Sequence, residues 1–253
     1  MIRKHRGETV TLAATLGFPQ CRVAPPWANA VEVHCPSATL EQISVALSPR
    51  LLKVFHYDAS ANEYKDLTDP LMDRNTSKLA TLAGFATADY LYVGCKERFR
   101  GIAVDLVTVN TEASVLTAEH SQGADGWVTL SITDGTIQPA GDTLGEDDLI
   151  TWTVPVNWHR SKVNGIEAYW VRFDVSADLL AIVTLDQIQP LLNKVINADN
   201  ETAEGNESLL LRTNNDTQKP YRIKFDKGRF GGIEISSASV TSAANINWME
   251  TTT

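Results

Sequence analysis

The chain has 253 residues, of which 43% are hydrophobic and 21% charged, a balance typical of globular domains and unlike that of disordered chains. Its net charge of -9 argues against a general nucleic-acid binder, which normally presents a basic surface. No run approaches the ~18 apolar residues of a membrane-spanning helix. Residues 1–6 lead into Gly7-Glu8-Thr9 without an apolar signal core, so we expect neither a spanning nor a secreted protein.

Cysteine usage favours a reducing compartment. Cys21, Cys35 and Cys95 are odd in number and include no C-x-x-C pair, so the sequence predicts neither a disulfide framework nor a zinc site. We therefore expect the protein to be made in a reducing cytoplasm.

Short strands are predicted along most of the chain from residue 31 onward. The clearest alternating segments are 102–106, 128–132, 150–154 and 167–176. In the last of them Tyr169, Val171, Phe173 and Val175 form one apolar face. Turn-forming clusters such as Asn164-Gly165 separate the strands about every ten residues. This spacing predicts a mainly β chain built as an antiparallel, jelly-roll-like β-sandwich.

Helical signals are few. The segment Asp69–Asp73 predicts a short helical turn, because Pro70 suits the first turn of a helix. Residues 39–47 fit either a helix or a strand by the spacing of their apolar residues, and both interpretations stay open.

Composition divides the chain into three segments. We predict an N-terminal arm over residues 1–27, the β-sandwich over 28–196, and an acidic linker with a small C-terminal β extension over 197–253. The last boundary rests on Asn197–Glu207, which is polar, acidic and almost without apolar residues.

Catalytic and metal-binding signatures are absent from the sequence. It has no G-x-S-x-G elbow, no H-E-x-x-H, no phosphate-binding glycine loop, and its five histidines are scattered. His34 and Cys35 are adjacent, so in a strand they point to opposite faces. The acids Asp142 and Glu146–Asp148 lack the spacing of a calcium loop, and a solvated turn is favoured. We therefore expect no catalytic residue, no cofactor and no metal.

The tryptophans form the remaining cluster of interest. Trp127, Trp152, Trp158 and Trp170 lie within 44 residues, and such clusters either fill a core or form a platform for sugar rings. Trp152 alternates with apolar neighbours and is assigned to the core. Trp158 follows the loop segment 155–157 and is expected to be the most exposed. An exposed Trp158 or Trp248 would be the feature to find in a carbohydrate-binding module.

Several different short motifs lie between Thr87 and Ser176. They are Asp89-Tyr90-Leu91-Tyr92-Val93-Gly94, Phe99-x-Gly101-Ile102, Gly126-Trp127-Val128-Thr129-Leu130, Asp134-Gly135-Thr136, Ile150-Thr151-Trp152-x-x-Pro155-x-x-Trp158 and Tyr169-Trp170-Val171-Arg172. With Phe55–Asp58 and Tyr64–Asp69 upstream, they resemble a β-sandwich module common in virion proteins of tailed bacteriophages. The resemblance covers residues 50–185. It implies a structural, non-catalytic role in head or tail and supplies no catalytic residues.

From this resemblance we expect a capsid decoration or cement protein that binds and stabilises the assembled shell, located in the virion after synthesis in the host bacterial cytoplasm. The chain has neither the long heptad or glycine-rich repeats of a fibre nor a lytic signature. A tail or baseplate structural protein and a carbohydrate-binding module are the alternatives. An enzyme that cleaves glycans or esters through an unrecognised site is a third hypothesis.

Charge is distributed unevenly along the chain, with +3 over residues 1–6 and +4 over 212–229. Basic ends and an acidic body suit contact with an acidic partner or with a second copy, although both runs could also be simply solvated. We expect the major capsid protein as partner, no nucleic acid, no membrane, and a homo-oligomer, with a trimer favoured by closed symmetry. The candidate interface residues are Arg3, Lys4, Arg6, Trp158, Tyr221, Arg222, Lys224, Lys227, Arg229, Phe230 and Trp248.

Overall fold

The computed structural model describes residues 2–12, 20–34, 42–72, 77–180, 182–192, 208–212, 221–228, 230–237 and 242–251. The chain forms two compact units. The terminal unit combines Met1–Arg50 with Lys194–Thr253, and the central unit is Leu51–Asn193. Both are built from antiparallel sheets, which confirms the predicted mainly β fold class.

The described residues form twenty strands and one short α-helix. The terminal unit begins with β1 (Ile2–Leu12), β2 (Gln20–Val23), β3 (Ala30–His34) and β4 (Gln42–Pro49). The central unit contains β5 (Leu51–Asp58), β6 (Glu63–Asp66), α1 (Thr68–Met72), β7 (Ala80–Thr81), β8 (Tyr90–Cys95), β9 (Phe99–Thr108), β10 (Leu116–Ser121), β11 (Trp127–Leu130), β12 (Ile132–Asp134), β13 (Asp148–Trp152), β14 (Ser161–Val163), β15 (Ile166–Val175) and β16 (Thr184–Leu192). The terminal unit resumes with β17 (Ser208–Arg212), β18 (Tyr221–Lys224), β19 (Phe230–Ser237) and β20 (Ser242–Thr251).

Two sheets make up the central unit. The front sheet has the order β11-β10-β15-β8-β5-β6, with β14 paired to β15, and the back sheet has the order β12-β13-β9-β16-β7. Apolar side chains from both sheets form one buried cluster, for example Val93 and Phe173 from the front and Ile102 and Leu185 from the back. The alternation predicted for β9 and β15 is confirmed, because Val104, like Phe173, is buried on the core face.

The terminal unit is assembled from both ends of the chain. Its sheets have the orders β1-β20-β3-β18 and β17-β4-β19-β2. The segment expected to be an arm contains a strand, because β1 pairs with β20 from Lys4 opposite Glu250 to Leu12 opposite Ser242. Alternation did not reveal β1 because Lys4, His5, Arg6 and Gly7 are all exposed at the edge of the sheet.

The observed boundaries therefore differ from the predicted three-segment division. Strands β3 and β4 pair with β20 and β19 from the far end of the chain, so residues 28–50 belong to the terminal unit. Composition along the sequence does not reveal which strands pair, since strand partners can be separated by any length of chain. The polar segment 197–207 lies outside the described residues.

Of the two segments with helical signals, one contains a helix and the other a strand. A short helix, α1, occupies Thr68–Met72, close to the predicted turn at Asp69–Asp73. The ambiguous segment 39–47 is a strand from Gln42 onward, and residues 39–41 lie outside the described part of the chain. In the described residues no helix has the length and apolar character needed to cross a membrane.

Candidate functional site

One face of the front sheet points away from the core and is lined with aromatic residues. The register places Tyr57 opposite both Tyr64 and Tyr90, and Phe55 opposite Tyr92. Residues one position away, such as Val54, point into the core instead. Strand alternation in β5, β6 and β8 thus brings four tyrosines and a phenylalanine together on the outer face.

Gly94 makes room for the largest side chain of this face. A Cβ at position 94 would lie 2.5 Å from the ring of Trp170, so only glycine lets the indole lie flat across β8. Trp170 also stacks on Phe55, with ring centroids 5.8 Å apart and planes at 25°. It is fully buried although it points away from the core.

The β14–β15 hairpin covers Trp170 and forms one wall of a cavity. The indole Nε1 of Trp170 donates to the carbonyl oxygen of Ser161 at 3.0 Å. Asn164 and Gly165 both have positive φ, 46° and 81°, as the two central residues of a tight hairpin turn require. The Asn-Gly pair read from the sequence therefore sets the position of this wall.

Arg172 fixes the orientation of the neighbouring aromatic rings. Its guanidinium lies 4.3 Å from the ring centroid of Tyr90 and 4.6 Å from that of Trp127. It also forms an ion pair with Glu119, with Nη2 2.5 Å from Oε2. Burial raises the pKa of Tyr92 to about 12, so the phenol stays protonated at neutral pH. The aromatic face thus packs around one half-buried cation.

The aromatic face and the β14–β15 hairpin line an open cavity of about 580 Å³. The described lining residues are Tyr64, Tyr92, Gly123, Ala124, Gly126, Trp127, residues 160–164 and Glu167. Ser161 Oγ donates to the carbonyl oxygen of Gly123 at 3.0 Å and ties the hairpin to the 3-10 turn Gly123–Asp125. The volume lies within the usual range for small-ligand sites, about 300 to 1,000 Å³.

The polar groups of the cavity come mostly from the hairpin. Arg160, Ser161, Lys162 and Asn164 lie on one side, and Glu167 is directly opposite Lys162 in the β14–β15 pair. Arg160 is held in place, because its Nη2 donates to the carbonyl oxygen of Lys96 at 3.0 Å. The cavity therefore combines aromatic rings with charged and neutral hydrogen-bonding groups. Glu167 is its single carboxylate among the described lining side chains, so these do not form the carboxylate pair of most glycosidases.

The apolar residues proposed as interface anchors are buried. Trp158, expected to be the most exposed tryptophan, is 0% exposed and donates from Nε1 to the carbonyl oxygen of Trp170 at 3.2 Å. Trp248 is also 0% exposed, with its Nε1 bonded to Glu8, and Phe230 is 6% exposed. The expected exposure of Trp158 is therefore wrong, and neither Trp158 nor Trp248 is the exposed tryptophan sought for a carbohydrate-binding module. All three side chains fill the core of their own unit and offer almost no surface to a partner. Val156, next to Trp158, is exposed instead.

Five of the seven predicted interface cations are exposed. Lys4 and Arg6 are exposed on β1, and Arg222, Lys224 and Lys227 are exposed on β18 and the turn after it. Arg222 forms an ion pair with Glu32 at 3.0 Å. The side chains of Arg3 and Tyr221, and the whole of Arg229, lie outside what the structure describes. None of the predicted interface residues except Trp158 belongs to the central unit.

The acidic turn is more buried than expected. Asp142 is 4% exposed, and Asp134 accepts hydrogen bonds from Thr136 and Thr143. Asp147 accepts from the backbone amide of Leu106 at 2.7 Å. Asp134 and Asp147 thus tie the segment between β12 and β13 to its surroundings. The expectation of a solvated turn is wrong for Asp142, whereas Glu146 and Asp147 are exposed. Among the described residues, no three His, Cys, Asp or Glu side chains group as metal ligands would.

Other titratable residues identified from the sequence also have structural positions. His56 and Asp89 form a buried pair with Nε2 3.3 Å from Oδ2, and Asp89 accepts from the amides of Ala59 and Ala86. Burial raises the pKa of the Cys95 thiol. Cys35, the neighbour of His34, lies outside the described residues.

Sequence reasoning overlooked the cavity. The sequence does contain one signal for its aromatic wall. Tyr90 and Tyr92 alternate along β8 with the core residues Leu91 and Val93. This alternation predicts two tyrosines on the outer face of β8. Which neighbouring strands add further rings to that face follows only from the pairing of the sheet.

No family model and no curated protein matches this chain. Among solved structures, chitosan-binding module 1 derived from a chitosanase/glucanase of Paenibacillus sp. IK-5 is 14% identical, with 57% of this chain and 96% of that one covered and a TM-score of 0.33. A pectin binding carbohydrate binding module is 9% identical, with 59% and 96% covered and a TM-score of 0.30. A rhamnosidase from Novosphingobium sp. PP1Y is 12% identical, with 97% and 24% covered and a TM-score of 0.37. Likenesses this low carry no argument about function.

Proposed function

We propose that this is a carbohydrate-binding protein that holds its ligand, without cleaving it, in the cavity of the front sheet. The observation that carries the proposal is the open cavity walled by Tyr64, Tyr92 and Trp127 and edged by polar side chains. A sugar ring has apolar C–H faces and a polar circumference. It therefore needs aromatic surfaces and hydrogen-bonding groups side by side, as this cavity supplies them.

Partial exposure of the rings supports binding over a purely structural role. Tyr64 and Trp127 are only partly buried, whereas Trp152 and Trp158 in the core are nearly or fully enclosed. Tyr92 meets the edge of Trp127 with centroids 5.5 Å apart, and Arg172 packs on the same indole. The platform is preorganised, so a ligand would lose little affinity to the ordering of these side chains.

A glycan array tests the proposal. The wild-type protein should bind a subset of glycans, and Trp127→Ala should weaken binding about tenfold or more, because a stacking surface is removed. Trp127→Phe, which keeps a ring, should retain most of the affinity. Val156→Ser changes an exposed residue of the same unit outside the cavity and serves as the control. Absence of binding to every glycan would contradict the proposal.

We also propose a second candidate, that the chain is a structural protein of a tailed-phage virion. The supporting observation is that the motifs of the resemblance, from Phe55 to Arg172, all fall inside the central unit Leu51–Asn193. Several of them hold its fold: Gly94 accommodates Trp170, and Trp152 Nε1 donates to the carbonyl oxygen of Phe99 at 2.9 Å. In this proposal the major capsid protein is the partner, and a homotrimer decorates the shell.

Cosedimentation with purified phage heads and with tails tests the second candidate. Saturable binding to heads would support a decoration protein, and binding to tails alone would move the protein to the tail or baseplate. Light scattering that gives the monomer mass of 27.7 kDa for the free protein would count against a constitutive trimer. The two proposals are compatible, since a particle surface protein can also display a sugar-binding site.

A further inference from the structure

Positive charge is concentrated next to the cavity in a unit that is otherwise acidic. The central unit contains 10 Lys and Arg against 20 Asp and Glu, a net charge of -10. Four of those ten cations lie in two short stretches, Lys96 and Arg98 after β8 and Arg160 and Lys162 at the start of the hairpin. Glu97 lies between Lys96 and Arg98, so the two stretches together keep an excess of positive charge in an acidic unit.

The two stretches are held together by specific contacts. Arg160 donates to the backbone of Lys96 at 3.0 Å. Arg98 and Arg160 both lie over the ring of Tyr169, with their guanidinium carbons 5.5 Å and 5.1 Å from its centroid. Two cations that share one ring repel each other, and the attraction of each to the ring offsets this repulsion only in part.

Two of these cations belong to the cavity itself. Arg160 and Lys162 are among its lining residues, and both are exposed. Glu167 is the carboxylate opposite Lys162 and offsets one of the two charges. The described lining side chains therefore carry a net positive charge beside the rings of Tyr64, Tyr92 and Trp127.

We infer that the cavity selects an acidic sugar, one whose ring carries a carboxylate, as in a uronic-acid glycan. The inference rests on the proposed carbohydrate-binding function. The ring of such a sugar packs on the aromatic wall while its carboxylate meets the guanidinium of Arg160, a planar group that binds carboxylates through paired hydrogen bonds. Lys162 adds a second, less directional charge. The negative charge of the rest of the unit would repel such a ligand elsewhere and so restrict it to this position.

The test uses matched pairs of hexasaccharides that differ only in oxidation of C6: β-1,4-glucose with glucuronate, β-1,4-mannose with mannuronate, and α-1,4-galactose with galacturonate. Calorimetric titration should give at least one acidic member that binds about tenfold more tightly than its neutral counterpart, the effect expected of one charge-assisted contact. That preference should shrink as sodium chloride is raised, because salt screens charges at exposed sites.

Variants assign the preference to the cavity. Arg160→Gln and Lys162→Gln should each reduce the ratio of acidic to neutral affinity several-fold, and Glu167→Gln should increase it. Lys65→Gln removes an exposed cation of the same unit that is paired with Asp58, and should leave the ratio unchanged. Using both Arg160→Gln and Lys162→Gln keeps the test valid if loss of the Arg160 contact to Lys96 disturbs the loop.

The outcomes separate this inference from the proposed function. If neutral members bind as tightly as acidic ones, and Trp127→Ala abolishes both, the selection of acidic sugars is wrong and carbohydrate binding stands. A preference that persists unchanged in Arg160→Gln and in Lys162→Gln would also overturn the inference. If none of the six hexasaccharides and no arrayed glycan binds, the proposed function fails and the inference fails with it.

Discussion

The core between the two sheets and the outer face of the front sheet are both rich in aromatic residues, but these residues have different surroundings. In the core, Trp158 meets Phe99 and Trp152 at centroid distances of 5.1 and 6.5 Å and has no exposed surface. On the outer face Trp127 contacts Tyr92 and Arg172 and remains partly exposed beside the cavity. Trp158 is enclosed on all sides by the core, whereas Trp127 packs against a charged partner and keeps an open side. Composition alone does not separate a ring that stabilises the fold from a ring that can bind a ligand.

The largest loss of stability should come from replacing a tryptophan of the core. Trp158→Ala removes a fully buried indole and its hydrogen bond to the carbonyl oxygen of Trp170, and should lower the free energy of unfolding by about 4 kcal/mol. Trp127→Ala should cost less than half as much, because its ring is partly exposed. Urea unfolding of both variants checks the comparison. Equal losses would mean that the outer ring is as structural as the inner one.

The next effect concerns the contact between Gly94 and Trp170. Gly94→Ala places a Cβ within 2.5 Å of the indole and should destabilise the protein by about 2 kcal/mol, because the ring must move. The double variant Gly94→Ala with Trp170→Phe should lose less than the sum of the two single changes, since the smaller ring leaves room. Simple additivity of the two losses in a thermodynamic cycle would show that the contact is not the cause.

A smaller effect is expected at the cation of the outer face. Arg172→Lys keeps the charge but loses the planar group that packs between Tyr90 and Trp127, and should cost about 1 kcal/mol and weaken ligand binding. Lys53→Gln, which breaks the exposed pair with Asp66, is the matched control and should change stability by no more than about 0.5 kcal/mol. If Arg172→Lys lowers the free energy of unfolding no more than the control does, Arg172 does not support the aromatic face.

The smallest effect is a dependence on pH. Burial raises the pKa of Tyr92 from 10.0 to about 12, so the folded state holds the phenol proton more tightly than the unfolded state does. The corresponding stability is fully present below pH 10 and is lost as the pH rises towards 12. Tyr92→Phe should therefore flatten the fall in stability over that interval. An unchanged slope in chemical denaturation would contradict this assignment.

Local patterns in the sequence predicted a good part of the central unit. The alternation in 167–176 predicted β15, the pair Asn164-Gly165 predicted the turn before it, and Pro70 predicted the helical turn now seen as α1. Each of these features depends on neighbours a few residues away, which a sequence shows directly. The strand β1 was missed because an edge strand with exposed residues on both faces has no alternation to detect.

The sequence by itself determined that this protein is mainly β, where most central strands lie, and that each has one apolar side. Tertiary structure decided which tryptophans are enclosed and which face a ligand: Trp158 is covered by Phe99 and Trp152, and Trp170 by the hairpin. It also decided that β1 pairs with β20 and that Tyr64, Trp127 and residues 160–164 line one cavity. The physical reason is that alternation distinguishes the two faces of a strand, whereas the neighbours that cover each face come from sheet pairing between distant parts of the chain.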